Sequence, residues 1–180
     1  VSLTNETIIL FYKVGKKIHE WQTYFCTSED NGLTFSQPKQ LVEGDIGGRG
    51  PVRNKPIRLS NNDIVAPASQ ESGIWNAFVD ISSDQGKTWE KSTSISIKDL
   101  TFSVDDVEIT ESHKKIPVSE QSFYGRGVIQ PTLWESTPGN VHMLLRSSEG
   151  HIYRSDSSDF GKTWSHAYQT TLPNNNSGID

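Results

Sequence analysis

The sequence predicts an all-β protein built from repeated strand–turn–strand units. One eight-residue string, Ser-x-Asp-x-Gly-x-Thr followed by an aromatic residue, occurs three times in 180 residues, at 28–35, 82–89 and 157–164. A short alternating apolar run precedes each copy, at 21–26, 75–81 and 152–153. Alternation with a period of two is typical of strands, and a string that recurs along a chain indicates a repeat architecture.

Each string has the chemistry of a tight turn between two strands. The Asp carboxylate accepts backbone N–H bonds inside such a turn, and the Ser and Thr hydroxyls add local bonds. The Gly supplies a backbone angle that other residues resist, and the final aromatic side chain packs beneath the turn. We therefore assign the three strings a structural role and no catalytic one.

The three strings match the Asp-box, and the chain resembles the bacterial Asp-box, or BNR-repeat, family of sialidase-like proteins. The resemblance extends to segments 129–134, 142–147 and 172–178, and covers nearly the whole chain apart from about 98–123. It implies a β-propeller of four-stranded antiparallel blades, about three of them here, belonging to a ring of six. Residues 1–180 are then one partial propeller domain.

The chain divides into these blades in order. Runs at 6–14, 21–26 and 34–42 predict strands of the first blade, and the Gly-rich stretch 44–52 predicts a loop to the second. Strands of the second blade are predicted at 53–60, 64–69, 75–82 and 88–97, and those of the third at 128–134, 141–147, 151–157 and 163–172. The wider spacing between the second and third boxes predicts an insertion at about 98–127. We interpret it as a solvated loop, with a flap over a binding face as the alternative.

The composition limits the classes of function. The net charge is −5 and no basic run or basic-aromatic face occurs, so we expect no nucleic-acid partner. The longest apolar runs are too short to span a bilayer. The His residues show no metal-ligand spacing, and we expect no metal and no cofactor. Val1 indicates neither a signal peptide nor a start of translation, so a secreted and a cytoplasmic location both stay open.

Blade geometry predicts the binding site on the rim opposite the boxes. In an up-and-down blade, the start of the innermost strand and the end of the second strand share one rim, whereas the box turn lies on the other. Arg and Lys at that rim suit a carboxylate, and Asn and Gln suit sugar hydroxyls. The candidate substrate-binding residues are Lys13, Arg53, Asn54, Lys55, Gln70, Gln130, Arg146, Asn174 and Asn176.

The same rim carries three candidate catalytic carboxyl groups, those of Glu71, Glu149 and Asp180. A carboxylic acid can protonate a leaving glycosidic oxygen while a second group acts as base or nucleophile. Solvated turn carboxylates are the alternative interpretation for Glu71 and Glu149. Structural ion pairs are the alternative for Arg53 and Arg146.

The resemblance implies a glycoside hydrolase of the exo-α-sialidase type, with carbohydrate as its partner and a terminal, acidic sugar as its substrate. A polysaccharide lyase on a related propeller and a non-catalytic carbohydrate-binding propeller remain alternatives. Sialidases carry an arginine triad whose first member lies in an Arg-Ile-Pro motif, and these 180 residues contain no such motif. A propeller site draws on most blades, so we expect the segment to be inactive by itself.

Overall fold

A computed structural model of the chain describes residues 7–51, 53–71, 73–100, 125–174 and 176–179. These ranges form eleven strands, and their helical content is one 3-10 turn, Ile18–Glu20. The all-β prediction is therefore confirmed. Most of the predicted insertion at about 98–127, and the candidate acid Asp180, lie outside the described residues.

The strands form a three-stranded sheet and an eight-stranded sheet, and the eight-stranded sheet is made of two antiparallel groups that we call the second and third sheets. In sequence they are β1 (Ile8–Val14), β2 (Gln22–Ser28), β3 (Lys39–Gln40), β4 (Ile57–Arg58), β5 (Ile64–Gln70), β6 (Ile74–Ser82), β7 (Glu90–Lys91), β8 (Arg126–Thr137), β9 (Asn140–Ser147), β10 (His151–Ser157) and β11 (Tyr168–Pro173). Strands β1–β3, β4–β7 and β8–β11 each pair consecutively. A short parallel pairing of β6 with β8 links the second and third sheets.

The three box strings form the turns between β2 and β3, β6 and β7, and β10 and β11. In the second, Asp84 Oδ1 accepts the Thr88 N–H at 2.9 Å and Asp84 Oδ2 accepts the Thr88 hydroxyl at 2.7 Å. Ser82 Oγ accepts the Gly86 N–H at 2.7 Å. Gln85 and Gly86 have φ values of 64° and 87°, which explains the glycine. The other two boxes repeat these bonds.

Two apolar clusters hold the sheets face to face. Ile9 and Phe25 of the first sheet pack with Ile64 of the second. Val79 of the second sheet packs with Met143 of the third in a larger cluster. A fully buried side chain of this size contributes roughly 1.5–3 kcal/mol, so these clusters are the main source of stability. The second sheet thus lies between the other two, and within the described ranges the sheets do not close into a ring.

Candidate functional site

Several strand ends meet at one edge of the second and third sheets. Gln70, at the end of β5, pairs with Asn76 near the start of β6. Arg146, near the end of β9, pairs with Ile129 near the start of β8. Because β6 and β8 begin side by side in parallel, these ends share one edge, and the box turns at the far ends of β6 and β10 lie at the other. We call the first edge the candidate rim.

Arg146 is the central cation of the candidate rim. Its Nε donates to Asn176 Oδ1 at 2.9 Å, and its Nη1 donates to Gln130 Oε1 at 3.3 Å. The guanidinium carbon lies 5.6 Å from the centre of a ring of Trp75, whose side chain is 2% exposed. Such cation–π contact and amide bonds hold the guanidinium plane in a defined orientation.

Glu71 follows β5 and is the carboxyl group that interacts with Arg146. Burial raises the pKa of Glu71, while the charges of Arg146 and Lys13 and hydrogen bonds with Ser69 and Gln130 act to lower it. The Ser69 hydroxyl donates to Glu71 Oε1 at 3.3 Å. The burial effect prevails, so Glu71 retains its proton to a higher pH than an ordinary glutamic acid. A carboxyl group of this kind suits proton donation.

Lys13, near the end of β1, brings a second cation to the same region. Its Nζ donates to the Arg49 carbonyl oxygen at 2.5 Å. Burial lowers the pKa of Lys13 to about 8, although Asp80, Asp45 and Glu71 act to raise it. The ammonium form therefore prevails at neutral pH, and the neutral amine becomes accessible just above it.

A buried ion pair that the sequence reasoning missed supports Lys13. Asp80 is 0% exposed; its Oδ1 lies 2.5 Å from Arg49 Nε, and its Oδ2 accepts the Gly50 N–H at 2.5 Å. The Arg49 carbonyl also accepts the Thr23 hydroxyl at 2.5 Å. The sequence did offer one signal for this pair, which is a carboxylate near the end of the largely apolar strand β6. The ion pair holds the loop that contains Arg49 against the second sheet. The Arg49 carbonyl oxygen is thereby in position to accept the bond from Lys13.

Gln130 connects the third sheet to the loop before β4. Its φ is 53°, and it lies where the β8–β9 register shifts between Ile129 and Thr132. Its carbonyl accepts Asn54 Nδ2 at 2.9 Å. Asn54 is 5% exposed, and its buried Oδ1 has no hydrogen-bond partner in the described part of the chain. Both residues line a small cleft together with Arg53 and Ser69.

The loop after β11 completes the candidate rim. Asn174 Oδ1 accepts the Asn176 N–H at 3.1 Å, and Asn174 Nδ2 donates to the Ser177 carbonyl at 3.1 Å. Asn174 therefore shapes the loop, whereas Asn176 presents its side chain to Arg146. Gly178 lies directly against Arg53, and a Cβ there would meet the guanidinium carbon and Nε. A side chain at 178 would therefore displace the Arg53 guanidinium from this position.

The remaining sequence-predicted residues have partners of their own, are exposed, or lie outside the described ranges. Arg126 Nη2 lies 2.8 Å from Glu149 Oε2, and its Nε donates to Oε1 at 3.2 Å. These bonds lower the pKa of Glu149, which favours its ionised form over that of a proton donor. The Lys55 side chain is exposed, and Gln70 borders a separate hollow. Asp180 is outside the described ranges.

Within the described residues, no group of three or more His, Cys, Asp or Glu side chains is arranged to hold a metal ion. No helix found there is long and apolar enough to cross a membrane.

The whole chain, residues 1–180, matches the family model described as a BNR repeat-like domain. A search of curated proteins found no match. Among solved structures, the chain is similar to a protein of unknown function from Dyadobacter fermentans, with a TM-score of 0.67 and 15% identity over 96% of this chain and 50% of that one.

The fold is also similar to that of named sialidases. The Hadza microbial sialidase Hz136 matches with a TM-score of 0.63 and 15% identity, over 93% of this chain and 32% of that one. The NanB sialidase from Streptococcus pneumoniae matches with a TM-score of 0.57 and 23% identity, over 83% and 19% of the two chains. The chain thus spans half or less of the length of each of these structures.

Proposed function

Because the chain belongs to the BNR repeat-like domain family, we propose that it forms part of a sialidase-like glycoside hydrolase that acts on a terminal, acidic sugar. The observation that carries this proposal is an excess of positive charge around one half-buried carboxyl group. Arg146, Arg53 and Lys13 interact electrostatically with one another or with Glu71. Asp80 and Asp45 also act on Lys13, so the excess of positive charge is carried by Arg146 and Arg53, which act on each other beside Glu71 and favour an anionic ligand over a neutral one.

The proposed roles follow from this arrangement. Arg146 binds the carboxylate of the sugar, because its hydrogen bonds to Asn176 and Gln130 hold the guanidinium group in one orientation. Asn54, whose Nδ2 donates to the Gln130 carbonyl at 2.9 Å, holds Gln130 in place at the binding cleft. Glu71 donates the proton to the leaving glycosidic oxygen, because its pKa is raised.

Further candidates from the sequence complete the proposal. Arg53, Lys55, Gln70 and Asn174 extend or shape the binding surface, and Asp180 is a candidate for the second catalytic group. Glu149, held by Arg126, is less suited to proton donation and is proposed only as a base or an anchor. The likeness to sialidases supports blades of four antiparallel strands in a six-bladed propeller, of which the second and third sheets are two.

The test is made on the full-length protein that contains this sequence, because a central propeller site needs residues from most blades. We expect Glu71→Gln to lower hydrolysis of a fluorogenic acidic glycoside by on the order of 10²–10⁴-fold, the usual contribution of a general acid. Glu90→Gln is the matched control, since Glu90 is an exposed carboxylate on β7. Activity unchanged by Glu71→Gln would refute the assignment.

Product analysis separates the alternatives. Hydrolysis releases a saturated sugar, whereas a lyase forms an unsaturated uronate that absorbs in the ultraviolet. A binding propeller gives neither product but shows saturable binding of the glycan. Saturable binding without turnover in the full-length protein would reject the hydrolase and leave the carbohydrate-binding role.

A further inference from the structure

A second polar cluster lies on the third sheet, away from the candidate rim. In β9 the side chains of Val141 and Met143 are buried in the core, whereas His142 between them points to the opposite face. Asp156 occupies the same face on β10, directly across from His142. Ser136, near the end of β8, stands beside them at the edge that carries the box turns. Arg146 is at the other end of β9, so this cluster is separate from the proposed glycosidase site.

The distances within this cluster are those of a hydrogen-bonded relay. Ser136 Oγ lies 2.7 Å from His142 Nε2, and His142 Nδ1 lies 2.5 Å from Asp156 Oδ1. A proton on Nδ1, donated to the carboxylate, leaves Nε2 as an acceptor for the serine hydroxyl. The competing acceptor for that hydroxyl, the Asn140 carbonyl, is 3.5 Å away and therefore much weaker.

We propose that Ser136, His142 and Asp156 form a second catalytic site that cleaves small acyl esters. Ser136 is the nucleophile, His142 the general base, and Asp156 the group that fixes the imidazole tautomer. Ser136 is exposed, so an ester in solvent can reach its hydroxyl, whereas the His142 side chain is only 15% exposed. A nucleophile at the surface with a shielded base behind it is the nucleophile–base part of the arrangement that acyl transfer uses.

Neighbouring side chains hold the acid of this relay in place. Asp156 Oδ2 accepts the Tyr168 hydroxyl at 2.6 Å, and Asp156 Oδ1 accepts Arg154 Nε at 2.9 Å. Burial acts to raise the pKa of Asp156, but the hydrogen bonds from Tyr168, His142 and Arg154 outweigh it and leave the pKa below its usual value. The carboxylate is therefore ionised at neutral pH and available to orient His142.

The aromatic ring of Trp134 further restricts the imidazole. Its centroid lies 5.1 Å from that of His142, and the Arg154 guanidinium lies 5.4 Å from a Trp134 ring. Arg154 Nη2 is also 3.1 Å from His142 Nδ1.

The reaction balances without any co-reactant except water. Ser136 Oγ forms a bond to the ester carbonyl carbon while its proton passes to His142 Nε2. Collapse of the tetrahedral adduct breaks the bond to the alcohol oxygen, which takes that proton from His142 and leaves an acyl-serine. Water then attacks the acyl carbon with His142 as base, releases the carboxylic acid and restores the Ser136 hydroxyl.

The test uses a fluorophosphonate probe and 4-nitrophenyl acetate on the full-length protein. The probe should modify Ser136, with loss of fluoride, and mass spectrometry of the peptide that contains it should show the adduct. Ser136→Ala should abolish labelling and reduce the nitrophenol burst at least tenfold. Ser60→Ala is the matched control, since Ser60 is exposed and bonded to the Glu135 carboxylate rather than to an imidazole.

Two further variants test whether the relay, and not mere exposure, causes the reactivity. His142→Gln and Asp156→Asn should each slow labelling of Ser136 at least tenfold while the melting temperature shows a folded protein. Glu90→Gln should leave labelling unchanged, since Glu90 is exposed on β7. Labelling is measured without any glycoside, so failure of this proposal is distinguishable from failure of the glycosidase proposal. The absence of an adduct on Ser136 in the wild-type protein, or equal labelling of wild type and His142→Gln, would overturn the inference.

Discussion

Replacing Arg146 by Lys tests whether Arg146 binds the carboxylate of the sugar, and it does so without changing the charge. Lysine keeps the positive charge but loses the planar fork that now engages Asn176 and Gln130, and it loses the guanidinium stacking near Trp75. One hydrogen bond to a charged group contributes about 1.5–3 kcal/mol. If a single such bond to the ligand is lost, affinity or turnover should fall on the order of 10- to 150-fold.

The assay compares kcat/KM for a fluorogenic acidic glycoside, and the Kd of the corresponding acidic sugar, between the full-length wild type and Arg146→Lys. Arg58→Lys is the matched control, because Arg58 lies at the box edge, where its Nη1 donates to Gln85 at 3.3 Å. The melting temperature is measured on the same samples. A stable, fully active Arg146→Lys protein would refute the reasoning. A lowered melting temperature with binding retained would make Arg146 a structural residue.

Three other predictions concern proton equilibria and the box turns. In the wild type, kcat/KM should decline as pH rises through the raised pKa of Glu71, because the proton that Glu71 donates is then lost. The Glu71→Gln protein should not show this decline. An unchanged pH profile would assign the proton to another group. Carbon-13 NMR of the Lys13 side chain should show a titration near pH 8, with Lys13→Met identifying the signal; a midpoint near 10.5 would contradict its burial. Asp84→Asn should lower the free energy of unfolding by about 1 kcal/mol at neutral pH, because one charged acceptor oxygen of the second box is lost. Although burial acts to raise it, hydrogen bonds from Thr88 lower the pKa of Asp84 to about 2, so this difference should shrink as pH falls from 4 toward 2; a chemical denaturation series at several pH values measures it.

The local turns could be predicted from the sequence because their partners lie within a few residues. Asp84 and Thr88 are four positions apart, and so are Ser82 and Gly86. Turns of this kind depend on residues that are close together in the sequence. The box string occurs three times, and this recurrence identified the all-β class and the family. Which side chains of residues 141–146 face the core also follows from simple alternation.

The composition of the candidate rim was predicted in part, since strand order alone indicates which strand ends meet. Arg146, Gln130 and Asn176 were all expected there, and the structure brings them into contact. The environment of each residue was not predictable. Glu71 and Glu149 look alike as acids beside turns, yet burial raises the pKa of the first and Arg126 lowers that of the second.

Only the tertiary structure decided the long-range pairs. Asn54 and Gln130 are 76 positions apart, and Arg49 and Asp80 are 31 apart. No spacing rule connects such residues. Their distance in space depends on how the strands pack, and the loops that join these strands can have any length. The Ser136–His142 contact depends likewise on which face each side chain takes, and a shift of one residue in the β8–β9 register would separate the two. Local chemistry is set by neighbours in the chain, whereas burial, charge pairing and reactivity are set by neighbours in space.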